Sequence, residues 1–81
     1  MDKPEFYQRL AEILDIEEVK PENVLKEYEQ WDSLAILSVL AMADSKYGVT
    51  IRADEIRQVL TAGDLATLVE AKRKYQDRGG P

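Results

Sequence analysis

The sequence predicts an all-α protein, a small four-helix bundle with a long loop between helices 1 and 2 and a short third helix. Apolar residues recur at helical spacing in several segments, whereas the two-residue alternation of a β-sheet occurs only briefly, through Val49 and Ile51. The chain has 81 residues, the size of one domain, and 44% of them are hydrophobic. A domain this small buries only about 60–65% of the surface of its unfolded chain. We therefore expect a thin core of mainly aliphatic side chains.

The first helix is predicted over residues 4–15. Asp2 lies three residues before Glu5, which is a capping arrangement, and Pro4 is tolerated in the first turn. The apolar residues of this segment fall on one helical stripe: Phe6, Leu10, Ile13 and Leu14.

A long connector is predicted over residues 16–30, because Pro21 disfavours helical geometry at the residue before it. Connections of this length are uncommon unless their own side chains hold them on the core. Four apolar residues are available for this role: Val19, Val24, Leu25 and Tyr28.

The second helix is predicted over residues 33–46, with Asp32 or Ser33 as its N-cap and Gly48 as its stop. Its circumference is almost entirely apolar, through Leu34, Ile36, Leu37, Val39, Leu40, Met42 and Ala43. A surface helix normally has a polar face. We therefore expect part of this helix to face a partner or an enclosed ligand.

Two further helices complete the bundle, a short one over residues 53–59 and a last one that begins after Thr61. Thr61 precedes Asp64 by three residues, which is a capping arrangement. Leu65, Leu68 and Val69 form the core stripe of the last helix. We expect one domain over residues 1–76 and a flexible C-terminal tail over residues 77–81.

Composition excludes several classes of function. The chain has no histidine and no cysteine, so it lacks an imidazole base, a thiolate nucleophile and the usual zinc ligands. We expect no catalytic residue and no metal site. The net charge is −5, and the first 32 residues hold ten acids against four bases. This balance disfavours nucleic acid and anionic membrane as partners. No segment reads as a membrane span or a secretory signal, so we expect a cytoplasmic protein.

Three short motifs indicate a family: WDSL at the start of the second helix, YGVTI after it, and LTAGDL before the last helix. Their order and spacing resemble those of a discrete acyl carrier protein, over residues 4–74. The resemblance implies that a phosphopantetheinyl transferase attaches 4′-phosphopantetheine to Ser33, and that the arm holds acyl groups as thioesters. A phosphodiester at Ser33 would lie near unpaired N–H groups and the positive end of the helix dipole. Asp32 would cap the helix, position the transferase's metal, or do both.

The resemblance also implies partners and a surface that meets them. The partners are the transferase, an acyl-loading ligase or acyltransferase, and a ketosynthase or other acyl-processing enzymes of fatty acid or polyketide biosynthesis; we expect a monomer. The expected interface comprises Asp32, Leu34, Leu37, Ser38 and Met42. The second helix departs from the usual pattern of the family. At four positions where fatty-acid carriers often have acidic residues, this chain has other residues: Ala35, Ser38, Ser45 and Lys46. This difference favours apolar receptor surfaces and a specialised pathway.

Two other functions fit the same helical pattern. An aminoacyl or peptidyl carrier would also be modified at Ser33, although Glu29, Gln30 and Trp31 replace the glycine-rich approach expected there. A helical interaction module would bind through the second helix and never be modified. Modification of Ser33 separates this module from both carriers.

Overall fold

Across residues 1–78, which the computed structural model describes, the chain forms four α-helices and no β-strand. The helices are α1 (Lys3–Leu14), α2 (Ser33–Tyr47), α3 (Ala53–Gln58) and α4 (Ala62–Arg78). The predicted all-α fold, with its long first connection and short third helix, is confirmed. The predicted helix ends agree with the observed ones or differ from them by one residue, a difference that is common at helix ends.

The core lies between α1, α2 and α4, which pack against one another. Its largest fully buried side chains are Phe6, Leu10, Leu14, Leu25, Val39, Val49, Ile56, Leu65 and Val69. Phe6 also contacts the ring of Tyr47 from α2, with 6.0 Å between ring centroids. Leu68, which was predicted in the core stripe of the last helix, is only half-buried at the margin of this core.

Local side chains and one glycine define the helix ends. Asp2 Oδ1 accepts a hydrogen bond from Glu5 N at 3.2 Å, as the sequence predicts. Gly48 ends α2 in the left-handed conformation, with φ of 66°, which glycine adopts without steric cost. At the start of α4, Thr61 Oγ1 accepts from Asp64 N and Asp64 Oδ2 accepts from Thr61 N, each at 3.1 Å. These reciprocal bonds are the predicted capping arrangement.

The long connection between α1 and α2 is hydrogen-bonded to the beginning of α4. Leu25 N donates to Leu60 O, Ala62 N donates to Asn23 O, and Gly63 N donates to Pro21 O, at distances of 3.0, 2.9 and 2.8 Å respectively. A single turn of 3₁₀ helix, Leu25–Glu27, follows. Of the four predicted anchors, Val19 and Leu25 are buried, whereas Val24 and Tyr28 are half-buried. Because backbone bonds and buried side chains both fix this connection, it provides a firm base for the residues just before α2.

The C-terminal helix continues to Arg78, beyond the start of the predicted tail at Asp77. Residues 79–81 lie outside the described residues. The division into a domain over residues 1–76 and a flexible tail over residues 77–81 remains a prediction.

Candidate functional site

Ser33 is the first residue of α2, and its side chain is exposed. The sequence left the N-cap open between Asp32 and Ser33, and in the structure Asp32 is the cap. Asp32 Oδ1 accepts a hydrogen bond from Ala35 N at 2.9 Å, and the Asp32 carbonyl accepts one from Ile36 N at 2.9 Å. Among residues 1–73, whose side chains the structure describes, Ser33 Oγ makes no hydrogen bond. The hydroxyl is therefore available for reaction without loss of the helix cap.

The first turn of α2 has the features of an anion-binding position. Asp32 accepts hydrogen bonds from Ala35 N and Ile36 N. Among the described residues, no acceptor pairs with the N–H groups of Ser33 and Leu34. Free N–H groups at the start of a 15-residue helix coincide with the positive end of its dipole. A phosphodiester on Ser33 Oγ fits this position, since the N–H groups of Ser33 and Leu34 can donate to it.

The other predicted interface residues lie on α2 or at its start, with unequal exposure. Leu34 is 73% exposed and Leu37 is 62% exposed, which is unusual for leucine side chains of a small domain. Ser38 and Met42 are half-buried, and Asp32 is exposed. The opposite side of α2 contributes its buried side chains to the core: Ala35, Val39, Ala43 and Tyr47. The helix thus divides into a core stripe and an exposed leucine surface.

A cleft of about 370 Å³ lies between the connector, α2 and α3. Its lining residues are Lys26, Trp31, Ile36, Ile56, Arg57 and Val59. Trp31 precedes Ser33 by two residues, so their Cα atoms are at most about 7.6 Å apart. Ile36 lies one helical turn after Ser33, where side chains are neighbours about 5–6 Å apart. Two residues of the cleft lining, Trp31 and Ile36, therefore lie within about one helical turn of Ser33.

The sequence alone did not indicate that Lys26, Arg57 or the cleft belongs to a site. Lys26 lies in the connector and Arg57 in the short α3, and no periodic pattern brings these segments together. The nearly apolar circumference of α2 was the available signal, because it predicted that part of the helix faces a partner or a ligand.

Two further structural findings concern the described residues. No group of three or more histidine, cysteine, aspartate or glutamate side chains is arranged there to hold a metal ion. None of the helices there combines the length and apolar character that crossing a membrane requires.

Comparison with known proteins identifies the family. The chain is 33% identical over 70 residues to an acyl carrier protein of Acidothermus cellulolyticus, covering 79% of this chain and 83% of the relative. It is 30% identical over 74 residues to an acyl carrier protein of Micrococcus luteus, covering 84% and 91%. The fold matches the solution NMR structure of holo acyl carrier protein from Geobacter metallireducens, with a TM-score of 0.77 and 20% identity over 96% of this chain and 93% of that one. No family model matches.

The geometry and these relatives define a carrier domain, and the chain belongs to the acyl carrier protein family. The resemblance inferred from WDSL, YGVTI and LTAGDL is confirmed. Like its family, the protein carries acyl groups as thioesters on covalently attached 4′-phosphopantetheine. It is a substrate of phosphopantetheinyl transferase and of acyl-processing enzymes in general.

Proposed function

We propose that Ser33 is the attachment site of the arm and that this carrier serves a specialised biosynthetic pathway. The observation that carries the assignment is the exposed Ser33 hydroxyl at the first position of α2, beside two free backbone N–H groups. In the attachment reaction, Ser33 Oγ bonds to the β-phosphorus of coenzyme A, the pyrophosphate bond breaks, and adenosine 3′,5′-bisphosphate leaves. The hydroxyl proton is released. The arm supplies the thiol that a chain without cysteine lacks.

The competing serines are less suited to modification. Ser38 is half-buried in the middle of α2, and Ser45 lies in its last turn. At these positions the helix pairs its own backbone N–H groups, so a phosphodiester would find no free donors. Asp32 keeps one carboxylate oxygen outside the described hydrogen bonds, because only Oδ1 accepts from Ala35 N. That oxygen is free to help position the transferase's metal while the other caps the helix.

The partner surface that we propose is the exposed leucine surface with its flanking residues: Asp32, Leu34, Leu37, Ser38 and Met42. The helix α2 carries one acid, Asp44, and one base, Lys46, so its formal charge is zero. Partners that dock here gain little from electrostatic steering and more from burial of Leu34 and Leu37. Apolar docking supports a dedicated ligase, acyltransferase or ketosynthase in fatty acid or polyketide biosynthesis.

The proposal also covers the carrier's lack of catalytic activity, its oligomeric state and location, and its cargo. The carrier is not itself a catalyst, because its sequence has neither histidine nor cysteine to act as base or nucleophile. It acts as a monomer in the cytoplasm. An aminoacyl or peptidyl cargo is the second candidate, and the relatives named acyl carrier proteins favour the acyl cargo.

The attachment site can be tested with purified apo-protein, coenzyme A and a broad-specificity phosphopantetheinyl transferase. We expect intact-mass spectrometry to show addition of one arm to the wild-type protein and none to Ser33→Ala. Fragment-ion mapping should assign the arm to Ser33. Ser45→Ala is the matched control and should be modified like the wild type. An arm on Ser38 or Ser45, or a modified Ser33→Ala protein, would overturn the assignment, and an unmodified wild type would favour the interaction module.

A further inference from the structure

The cleft beside Ser33 combines an apolar wall with two cationic side chains. Trp31, Ile36, Ile56 and Val59 form the apolar part, and the side chains of Lys26 and Arg57 complete the lining. Sites for small organic ligands have volumes of about 300–1,000 Å³, and the volume of about 370 Å³ lies at the small end of that range. A cleft of this size suits a short acyl group.

Lys26 and Arg57 have no carboxylate partner among the described side chains. The ion pairs found there use the chain's amino terminus and the side chains of Lys3, Arg9, Arg52 and Lys72. In a chain with sixteen acids and eleven bases, two unpaired cations on the same cleft are a notable concentration of positive charge. The cleft therefore offers a negatively charged ligand both an apolar wall and two donors.

The phosphodiester of the arm does not need these cations. It is bonded to Ser33 Oγ, where the N–H groups of Ser33 and Leu34 are free to donate to it. Beyond the phosphodiester, the pantetheine portion contains amides, a hydroxyl and sulfur, all neutral. Only the acyl group at the end of the arm can bring a second negative charge to the cleft.

We propose that the cleft binds the acyl end of the arm and favours a short cargo that ends in a carboxylate, which Lys26 and Arg57 pair with. The methylene groups of such a cargo contact Ile36, Ile56 and Val59, and its carboxylate accepts hydrogen bonds at the mouth of the cleft. This inference rests on the proposed attachment at Ser33 and adds the chemical class of the cargo.

The experiment compares two isosteric cargoes on the intact protein, adipoyl and its terminal amide, each loaded from the corresponding coenzyme A thioester by the transferase. The first readout is the rate of thioester cleavage by hydroxylamine, divided by the rate for the same thioester on coenzyme A. The second is the NMR chemical shift of the Ile36, Ile56 and Val59 methyl groups. Lys26 and Arg57 are exposed, so we expect adipoyl to be protected about two- to fivefold more than the amide, the range for an exposed ion pair. We also expect larger methyl shifts with adipoyl.

The doubly substituted protein Lys26→Met, Arg57→Met should protect both cargoes equally. The control is Lys46→Met, which removes a cation about 20 Å along α2 from Ser33 and should behave as wild type. Equal protection of adipoyl and the amide by the wild type would overturn the inference, as would full adipoyl protection by the doubly substituted protein. Slower arm attachment with unchanged protection would instead make the two cations a contact for the transferase. Absence of any arm on Ser33 would overturn the proposed function itself, and the mass spectrum separates that result from the others.

Discussion

The carboxylate of Asp32 accepts the bond from Ala35 N that a serine at the N-cap would accept with its hydroxyl. Ser33, one residue later, is left with an exposed side chain at the first helical position. The cap and the proposed attachment site are therefore two adjacent residues, Asp32 and Ser33. A change at Ser33 can alter the modification while the start of the helix remains capped.

This division predicts separate effects on function and stability. Ser33→Ala should lower the free energy of unfolding by less than about 1 kcal/mol, because the cap bond from Asp32 remains. Val39→Ala should cost about 2–3 kcal/mol, since it removes two methyl groups from a fully buried position. Urea denaturation of both variants measures the difference. A loss at Ser33 as large as that at Val39 would mean that Ser33 is chiefly structural.

Leu40 illustrates the limit of sequence reasoning at the residue scale. From the sequence alone, Leu40 in this apolar helix is a candidate for the core, where truncation of leucine to alanine costs about 2–4 kcal/mol. In the structure Leu40 is half-buried at the margin of the core, and the neighbouring Val39 is fully buried. When nearly every position of a helix is apolar, hydrophobic periodicity no longer distinguishes the inner face from the outer one. We therefore expect a smaller loss for Leu40→Ala than its hydrophobicity alone indicates.

At the scale of elements, α2 presents its exposed leucines, Leu34 and Leu37, beside the proposed attachment site at Ser33. We predict that Leu37→Ala raises the KM of the transferase for the apo-protein about fivefold, because truncation of an apolar contact at an interface commonly costs about 1 kcal/mol. The KM should change little between low and high salt, since α2 has no net charge. Ser38→Glu should still accept the arm but make the KM salt-dependent.

Leu60→Ala is the matched control for this measurement, because Leu60 is 54% exposed but lies on the connection between α3 and α4. An equal rise of KM for Leu60→Ala and Leu37→Ala would show that docking is not confined to the exposed leucine surface. An unchanged KM for Leu37→Ala would remove Leu37 from the transferase interface.

Glu55 holds the short helix α3 through two contacts, one with Arg52 at its start and one with Lys72 of α4. Glu55 Oε1 accepts from Arg52 N at 2.9 Å and lies 3.0 Å from Lys72 Nζ of α4. The backbone hydrogen bond from Arg52, followed by the bond from Lys72, lowers the pKa of Glu55. A carboxylate whose pKa is lower in the folded state stabilises the fold above its unfolded pKa of about 4.3, and this stabilisation is lost as the pH falls through the folded value.

We therefore predict that Glu55→Gln lowers the Tm at pH 7 and that the difference from wild type shrinks as the pH falls below about 4. Glutamine can still accept from Arg52 N, so this substitution isolates the charge. Glu22→Gln is the control, because Glu22 is exposed and makes no side-chain hydrogen bond or ion pair with residues 1–73, whose side chains the structure describes. Thermal unfolding followed by circular dichroism from pH 7 to pH 3 measures both. A difference between Glu55→Gln and wild type that stays constant over this range would contradict the prediction.

For the whole molecule, local patterns predicted much of the architecture. The capping pair Thr61 and Asp64, the stop at Gly48 and the aspartate-serine pair before α2 are signals between residues a few positions apart, and the structure contains each of them. The comparisons then established the family, whereas attachment at Ser33 remains a proposal.

The contacts that join distant segments could not be predicted in this way. The hydrogen bond from Gly63 N to Pro21 O links residues 42 positions apart, and neither segment has a periodicity that indicates the other. The presence of Gly63 gives only a weak indication of this contact. Glycine is unfavourable inside a helix, so its presence suggests that another segment approaches closely, but it does not say which one. A Cβ atom there would lie 3.0 Å from Pro21 O, so the close approach explains the glycine. The cleft depends on the same arrangement, since the connector contributes Lys26 and Trp31 to its lining.

The fluorescence of Trp31 depends on what occupies the cleft. It is the only tryptophan among the 81 residues, so the indole emission of the entire protein originates from one half-buried ring in the cleft lining, two positions before Ser33. An acyl group that enters the cleft displaces water from that ring and changes the polarity that the excited indole senses. The wavelength of this emission therefore reports whether a cargo is inside or outside the cleft, in unlabelled protein and in real time. The carrier thus contains its own fluorophore in the cleft where we propose that its cargo binds.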